Sequence, residues 1–461
     1  MLSQLRCPPV DTSERDPEHE LNETAIDPPS DARRPCRASA EPGELLSLPQ
    51  LGGGATRPLS AAAVLERVRG VGGAMPRIAG LYLHVPFCFH KCHYCDFYSF
   101  VDKADQQPAY LSRLESEIAA AAQAGIGQPN GCGPLETIFI GGGTPTLLRP
   151  DLLRRALAAV ASHFALARRD ADGYEWTVEA NPETVTDEVA AILVEAGVNR
   201  VSLGAQSFHP QHLKTLERWH DPASVPRAVE RLRRAGLRRL NLDLIFGIPG
   251  STLAEWESDL AKAIDCGPDH LSCYGLTYEP NTAMTKRLEL RQFEPCDEDL
   301  EAAMYEATLA ATEVAGFEQY EISNFAKPGQ ACRHNLLYWR NESWWALGPS
   351  ASGHVAGVRW KNVPNLTRWL AESEERMAPI VDCEEVDADT RAGEILLVGL
   401  RLREGVPDAV IDAACQTGRG PARREAIRQA IERGLLECVA GRVRFTRAGQ
   451  LLADEVLVEL L

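Results

Sequence analysis

No stretch of the 461-residue chain approaches the roughly 18 consecutive apolar residues that a bilayer-spanning helix needs, and no basic-then-apolar leader opens it. These absences predict a cytoplasmic protein without membrane insertion. Positive charge is also scarce. Lys and Arg number 48 against 65 Asp and Glu, and a net charge of -17 repels a phosphate backbone, which sets nucleic acid aside as a partner. Residues 1–74 contain no Phe, Trp or Tyr, are rich in Pro, Gly, Ser and acid, and carry no sustained hydrophobic period, so they are expected to be a disordered N-terminal extension. Ten acidic and five basic side chains in the first 44 residues argue against a mitochondrial transit peptide, a class poor in acid. The first strand candidate begins six residues after Met75, which raises Met75 as the native start; the N-terminal peptide of natively expressed protein settles that point. Thirteen cysteines, an odd number scattered mostly one at a time, do not make a disulfide framework.

What is present begins at Leu81, where strand-like and helix-like segments alternate in the manner of a parallel sheet wrapped by helices. Strands are expected at 81–85, 136–140, 175–180, 200–204, 239–245 and 270–276, with amphipathic helices at 110–124, 152–164, 187–196, 225–235 and 253–264. Six such units fall two short of a closed eight-stranded barrel. The expected fold is therefore α/β, a partial, three-quarter β/α barrel over 75–316. A helix rich in Ala and Glu at 299–315 leads into an aromatic-rich connecting region, 317–384. Residues 385–461 carry two or three helical patterns and a short strand at 442–446, and read as a small helical or winged-helix-like domain. With no basic recognition face, that domain is a packing module rather than a DNA reader.

Chemistry concentrates directly after the first strand, in Tyr82-Leu-His-Val-Pro-Phe-Cys88-Phe-His-Lys-Cys92-His-Tyr-Cys95-Asp-Phe97. Three cysteines spaced by three and then two residues on a polar loop have no packing rationale, and converge naturally on a metal centre. A four-iron cluster held by three thiolates keeps one iron open for the amino and carboxylate groups of a small molecule. Zinc, with His84, His90 or His93 as fourth ligand, is the competing reading of this loop. The second strand ends in Gly141-Gly-Gly-Thr144-Pro-Thr146, where successive glycines expose backbone to a ligand that a side chain would exclude. This turn matches neither the dinucleotide fingerprint nor the P-loop.

Together, the C-x3-C-x2-C loop and GGGTPT resemble the radical S-adenosylmethionine superfamily, from about residue 78 to the C-terminus. Tyr82-x-His84-x-Pro86-Phe87-Cys88, Glu179-Ala-Asn-Pro182, Leu203-Gly-Ala-Gln206-Ser-Phe208 and Asp243-Leu-Ile-Phe-Gly247-Ile-Pro249 are similar to the group containing oxygen-independent coproporphyrinogen III oxidase and the HemW-type heme chaperones. The resemblance implies a 4Fe-4S cluster on Cys88, Cys92 and Cys95. It also implies adenosylmethionine among Tyr82, Phe97, Gly142, Gly143, Thr144, Glu179, Gln206, Arg218 and Asp243, and its reductive cleavage to a deoxyadenosyl radical by one electron from a separate donor. Glu179, Gln206 and Asp243 fall at or just past strand ends, where barrel enzymes place their sites. Their acceptors suit a sulfonium cation with ribose hydroxyls, and Arg218 suits its carboxylate.

Two departures separate the members of that group. The oxidase pattern has a further cysteine where this chain has Phe97, and an N-terminal arm where residues 1–74 are expected to be disordered. Arg333-His334-Asn335-Leu-Leu-Tyr338-Trp339 instead matches the HNxxYW pattern of the heme chaperones. His334 offers an imidazole for heme iron, Tyr338 and Trp339 offer flat faces for a macrocycle, and His354 or a cysteine is the alternative ligand. The resemblance implies heme as cargo for apo-hemoproteins of a respiratory chain, with no established turnover; the enzymatic alternative is oxidative decarboxylation of coproporphyrinogen III. Radical tRNA modification is disfavoured by the charge. A homodimer formed through the cluster is compatible with the resemblance.

Overall fold

The computed structural model describes residues 60–70, 75–167, 173–371 and 376–461. Six parallel strands form where the alternation predicts them: β1 (Gly80–Val85), β2 (Thr137–Gly142), β3 (Glu175–Ala180), β4 (Arg200–Gln206), β5 (Arg239–Phe246) and β6 (His270–Gly275). They lie side by side in chain order. Each pair is joined through a helix packed outside the sheet, because a parallel connection must cross over. Both faces of the strands are covered, which is why β4 is buried from Arg200 to Ala205. Local signals fix the helix ends. Thr186 caps Asp187–Ala196, which ends on Gly197 at φ 95°, and Thr252 with Glu255 forms a capping box at the start of Leu253–Asp265.

The aromatic-rich region is not a simple connector. It supplies β7 (Glu318–Glu321), β8 (Asn324–Ala326), β9 (Trp344–Leu347), β10 (Ser352–Val355), β11 (Val358–Asn362) and β12 (Ile380–Glu385). The order across the sheet is β12-β11-β10-β9-β1-β2-β3-β4-β5-β6-β8-β7. β9 runs parallel to β1 as a seventh parallel strand, while β8 pairs antiparallel with β6. The two ends do not meet, so the barrel is partial. These strands are three to six residues long, too short to stand out in a helix-strand reading built on long apolar runs.

Two large hydrophobic cores form. One runs from the barrel helices through Val355, Trp360, Trp369 and Ile380; the other is confined to the C-terminal domain, from Ala392 to Leu460. That domain sets the helices Ala388–Leu400, Asp408–Ala414 and Gly420–Glu432, followed by two shorter ones, against a three-stranded antiparallel sheet, the winged-helix-like arrangement read from the sequence. It docks on the barrel through Tyr305, whose hydroxyl donates to Gln450 Oε1 at 3.2 Å, and through an isolated bridge between Glu321 and Leu402. One expectation needs correction within the described part of the N-terminal extension. Ala61–Arg69 is a helix capped by Ser60, burying Ala61, Val64, Leu65 and Val68, an i, i+3, i+4, i+7 stripe that needs no aromatic residue. The rest of that extension, 1–59 and 71–74, lies outside the described residues. Among the described residues, no helix is long and apolar enough to cross a membrane.

The strand extension is pinned to the barrel by a buried pair on the helix Gln107–Gln123. Arg113 donates to the carbonyls of Trp369, Arg376 and Met377 at 3.1, 2.7 and 2.8 Å, and Glu117 accepts from Trp369 Nε1 at 3.0 Å. Burial raises the Glu117 carboxyl to about 7, with Arg113 opposing the rise. Arg113→Ala leaves three carbonyls without their donor and the Glu117 carboxyl without its cation. It should cost about 3–5 kcal/mol of stability, read as a lowered urea midpoint; an unchanged midpoint would mean that other contacts hold the extension.

Candidate functional site

The six parallel strands all end on one side, and the loops that follow them enclose a cavity of about 1650 Å³. Cys88, Cys92 and Cys95 border it on the loop after β1. That loop is folded by its own backbone. Phe87–Cys88 and Phe100–Val101 pair as two short parallel strands, Phe100 N–H donates to the Pro86 carbonyl at 2.9 Å, and Lys91 Nζ donates to the Phe97 carbonyl and to Ser99 Oγ. Burial raises the Cys88 thiol and lifts Cys95 to about 11.

The glycine run after β2 does something that its spacing alone does not announce. Gly143 N–H donates to the Val85 carbonyl and Thr144 N–H to the Phe87 carbonyl, both at 2.7 Å. A Cβ on Gly143 would stand 2.6 Å from the Phe87 oxygen. The turn thus lies flush against the root of the cysteine loop, and Thr144 Oγ1 reaches the Cys88 sulfur at 3.9 Å. Gly142, Gly143 and Thr144 still line the cavity, but two of their N–H groups are taken by the loop rather than left for a ligand.

Glu179, Gln206, Arg218 and Asp243 face the same space. Glu179 Oε2 accepts Gly142 N–H at 3.0 Å. Asp243 accepts from Ser202 Oγ at 3.1 Å and from Asn241 Nδ2 at 2.7 Å. Burial, followed by the Asp243 charge, raises the Glu179 carboxyl to about 7; burial also raises Asp243, against its hydrogen bonds from Ser272, Asn241 and Ser202. Two carboxylates therefore share a desolvated wall, and the Arg200 charge behind it offsets their burial only in part. Gln206 ends β4 at φ 61°, where the pairing with β5 slips past Ala205, and that strained backbone turns its side chain to the cavity. Arg218 Nη2 donates to the Gly204 carbonyl at 2.7 Å, and Nη1 lies 3.6 Å from the Cys92 sulfur.

The remaining residues singled out from the sequence are placed differently. Tyr82 stands behind the cavity wall, with its hydroxyl 3.0 Å from His84 Nδ1 and its ring stacked on Phe139; Phe97 is exposed at the mouth, as are Phe89 and Trp219. His84 has both ring nitrogens engaged, the second with the Tyr98 carbonyl at 2.7 Å. His90 stacks on Trp219, and His93 lies 3.3 Å from Arg287. The HNxxYW segment forms the helix Arg333–Trp339. Its spacing divides the residues between two faces. His334 and Tyr338, four apart, turn to the barrel floor: His334 contacts Thr137 Oγ1 and the Tyr338 hydroxyl, each at 2.8 Å, and burial lowers its pKa to about 3. Asn335 and Trp339, also four apart, line the cavity. Among the three heme candidates, only Trp339 reaches that space. His354 contacts the Glu342 carbonyl and the Gly357 N–H.

Residues 82–263 match the family model of the radical SAM superfamily, and residues 386–452 match that of the HemN C-terminal domain. The heme chaperone HemW of Mycobacterium tuberculosis is 38% identical over 385 residues, covering 83% of this chain and 94% of that protein. The chain belongs to the HemW family of radical SAM proteins. HemW of Bacillus subtilis is 35% identical over 375 residues, with 81% of this chain and 97% of that protein covered. In three dimensions, the coproporphyrinogen III oxidase HemN of Escherichia coli has the same fold, at TM-score 0.73 and 19% identity over 87% of this chain and 93% of that one. Motif reasoning passes over Tyr274, Glu321 and Arg401 on the cavity wall of this HemW-family chain, since none of them belongs to a recognisable pattern.

Gly143→Ala tests the packing of turn on loop. The added methyl forces the two backbones apart, and such overpacking costs about 1–3 kcal/mol. The variant should melt earlier and label faster at Cys88 with a thiol reagent than the parent protein; wild-type melting and labelling would contradict the close approach.

Proposed function

We propose that the chain is a heme carrier that holds a 4Fe-4S cluster on Cys88, Cys92 and Cys95, binds adenosylmethionine beside it, and passes heme to apo-hemoproteins in the cytoplasm, respiratory ones among them. The observation that carries this reading is the meeting of three cysteines, the glycine turn and a desolvated carboxylate pair on one cavity, in a chain of the HemW family. The donor set fits a cluster with one open iron better than zinc. Of the three histidines near the cysteines, His84 has both ring nitrogens engaged and His93 lies against Arg287, which leaves His90 as the sole nitrogen donor free to complete a tetrahedral zinc site.

When bound, the cluster and adenosylmethionine supply one-electron reductive chemistry, with the electron coming from a separate donor. The chain positions them. Thr144 and Arg218 present donors to the sulfurs of Cys88 and Cys92. Glu179 and Asp243 receive the cationic ligand and its hydroxyls, and Gln206 supplies a further donor and acceptor. Phe97 with Phe89 and Trp219 makes an apolar rim at the mouth that suits a docking protein, whether electron donor, heme recipient or second copy. Heme enters through Trp339, while His334 and Tyr338 hold the helix that presents it; iron ligation by His334 requires the helix to release its two hydrogen bonds.

Cluster-reconstituted protein should bind heme stoichiometrically in an anaerobic titration, and should yield no protoporphyrinogen from coproporphyrinogen III, adenosylmethionine and reductant. Repeated turnover would make it the oxidase instead. Adenosylmethionine affinity should depend on pH through Glu179. With that carboxyl at about 7 in the free protein, a cationic ligand binds the ionised form and drives off the proton, so affinity rises with pH by about tenfold between pH 6 and 8. Glu179→Gln should bind more weakly and with a flat profile; a pH dependence that survives the substitution would point to another group.

A further inference from the structure

The cavity is larger than one ligand requires. At about 1650 Å³ it exceeds the roughly 1,000 Å³ at the upper end of ordinary small-molecule pockets. Its cluster end is walled by the strand-end loops described above. The opposite end is walled by the start of the helix Glu298–Val314, the turn between β7 and β8, and the C-terminal domain, with Trp339 and Arg401 facing each other across the boundary.

The charge of this wall is almost entirely negative, with Glu179, Asp243, Glu301, Glu321 and Asp454 among its residues. Arg218 and Arg401 are its two arginines, and it contains no lysine. Arg218 is engaged at the cluster end. Arg401 is not engaged in the way other deeply set arginines are. Arg113 satisfies three carbonyls, Arg359 meets Glu384 and Glu394 at 2.7 Å each, and Arg423 donates to Asp389, Thr417 and the Leu460 carbonyl. Arg401 has Asp454 Oδ1 at 3.8 Å, beyond hydrogen-bond reach, and its Nε has no partner. Its guanidinium lies over the Trp339 ring, 5.0 Å from the centroid. The Trp339 indole nitrogen is itself without an acceptor. That contact holds the guanidinium over the ring, and its unpartnered Nε is a donor available to an anion.

We propose that Arg401, oriented by Trp339, is the anchor for a propionate carboxylate of heme. The inference rests on the heme-carrier reading and adds to it that the C-terminal domain supplies part of the cargo site. A planar fork meeting a carboxylate in a desolvated, otherwise acidic chamber selects the one orientation of a dianionic macrocycle that places a propionate there. Asp454, half exposed, is the competing carboxylate that the ligand displaces, while the buried Glu321, which also feels the Arg401 charge, keeps its hydrogen bonds from Ser323 and Asn324.

The experiment is an absorbance titration of full-length, cluster-reconstituted protein with heme and with heme dimethyl ester, whose propionates carry no charge. Wild type should bind heme at least about tenfold more tightly than the diester, the scale of one charge-assisted contact. Arg401→Ala should lose that preference, binding both as wild type binds the diester, with adenosylmethionine affinity and iron content unchanged. Equal affinity of wild type for heme and diester overturns the proposal, and does so even if Arg401→Ala fails to fold. A variant that loses adenosylmethionine binding but keeps the heme preference also overturns it, assigning Arg401 to the other ligand's carboxylate. Wild type that binds neither porphyrin defeats the heme-carrier reading itself.

Discussion

The structure depends on a contact between two backbones. Val85 and Phe87 leave the first strand and offer their carbonyls to the N–H groups of Gly143 and Thr144, at a separation that no Cβ on Gly143 would allow. That strap decides where the cysteine loop sits, because everything from Cys88 to Cys95 hangs from its root. It also brings the carboxylate of Glu179, bonded to the neighbouring Gly142 N–H, to the same corner. Glycine is needed here for close approach, and at Gly142 also for its positive φ of 106°. The ends of two adjacent parallel strands are thereby converted into one platform for the three cysteines.

The second constraint is electrostatic. A cavity wall with Glu179 and Asp243 buried near each other is unfavourable until a cation enters the cavity, and the raised carboxyls register that cost. A cation placed there would relieve it, which is the basis for proposing a cationic ligand beside the cysteines. The acidic lining also makes the two arginines informative. Each is the local exception in that lining, Arg218 beside the Cys92 sulfur and Arg401 over the Trp339 ring.

Much of this was legible in the residues alone. Six strands and their crossover helices announced themselves because short strand-like segments recur at regular intervals between amphipathic helices, the pattern of a parallel sheet wrapped by helices. The cysteine loop and the glycine turn were legible from their spacing, while Glu179, Gln206 and Asp243 came from the family resemblance and agree with the fact that strand ends in such a fold share one side. The short strands from Trp344 to Glu385 were not, since at four to six residues each they are too brief to show a period of their own, and neither was the small helix at Ala61. The HNxxYW segment was legible as a motif but not in its facing. Only helical spacing separates His334 and Tyr338, turned to the floor, from Asn335 and Trp339, turned to the cavity. Arg401 was invisible because its partner lies across a domain boundary.

The proposed function rests on a cluster with one iron left open for adenosylmethionine. Electron paramagnetic resonance of the reconstituted, reduced protein, recorded before and after saturating adenosylmethionine, tests it most directly. The expected result is a cluster signal that shifts when the ligand takes the iron that no cysteine holds. A cluster signal indifferent to adenosylmethionine, or the absence of any cluster signal, would contradict it.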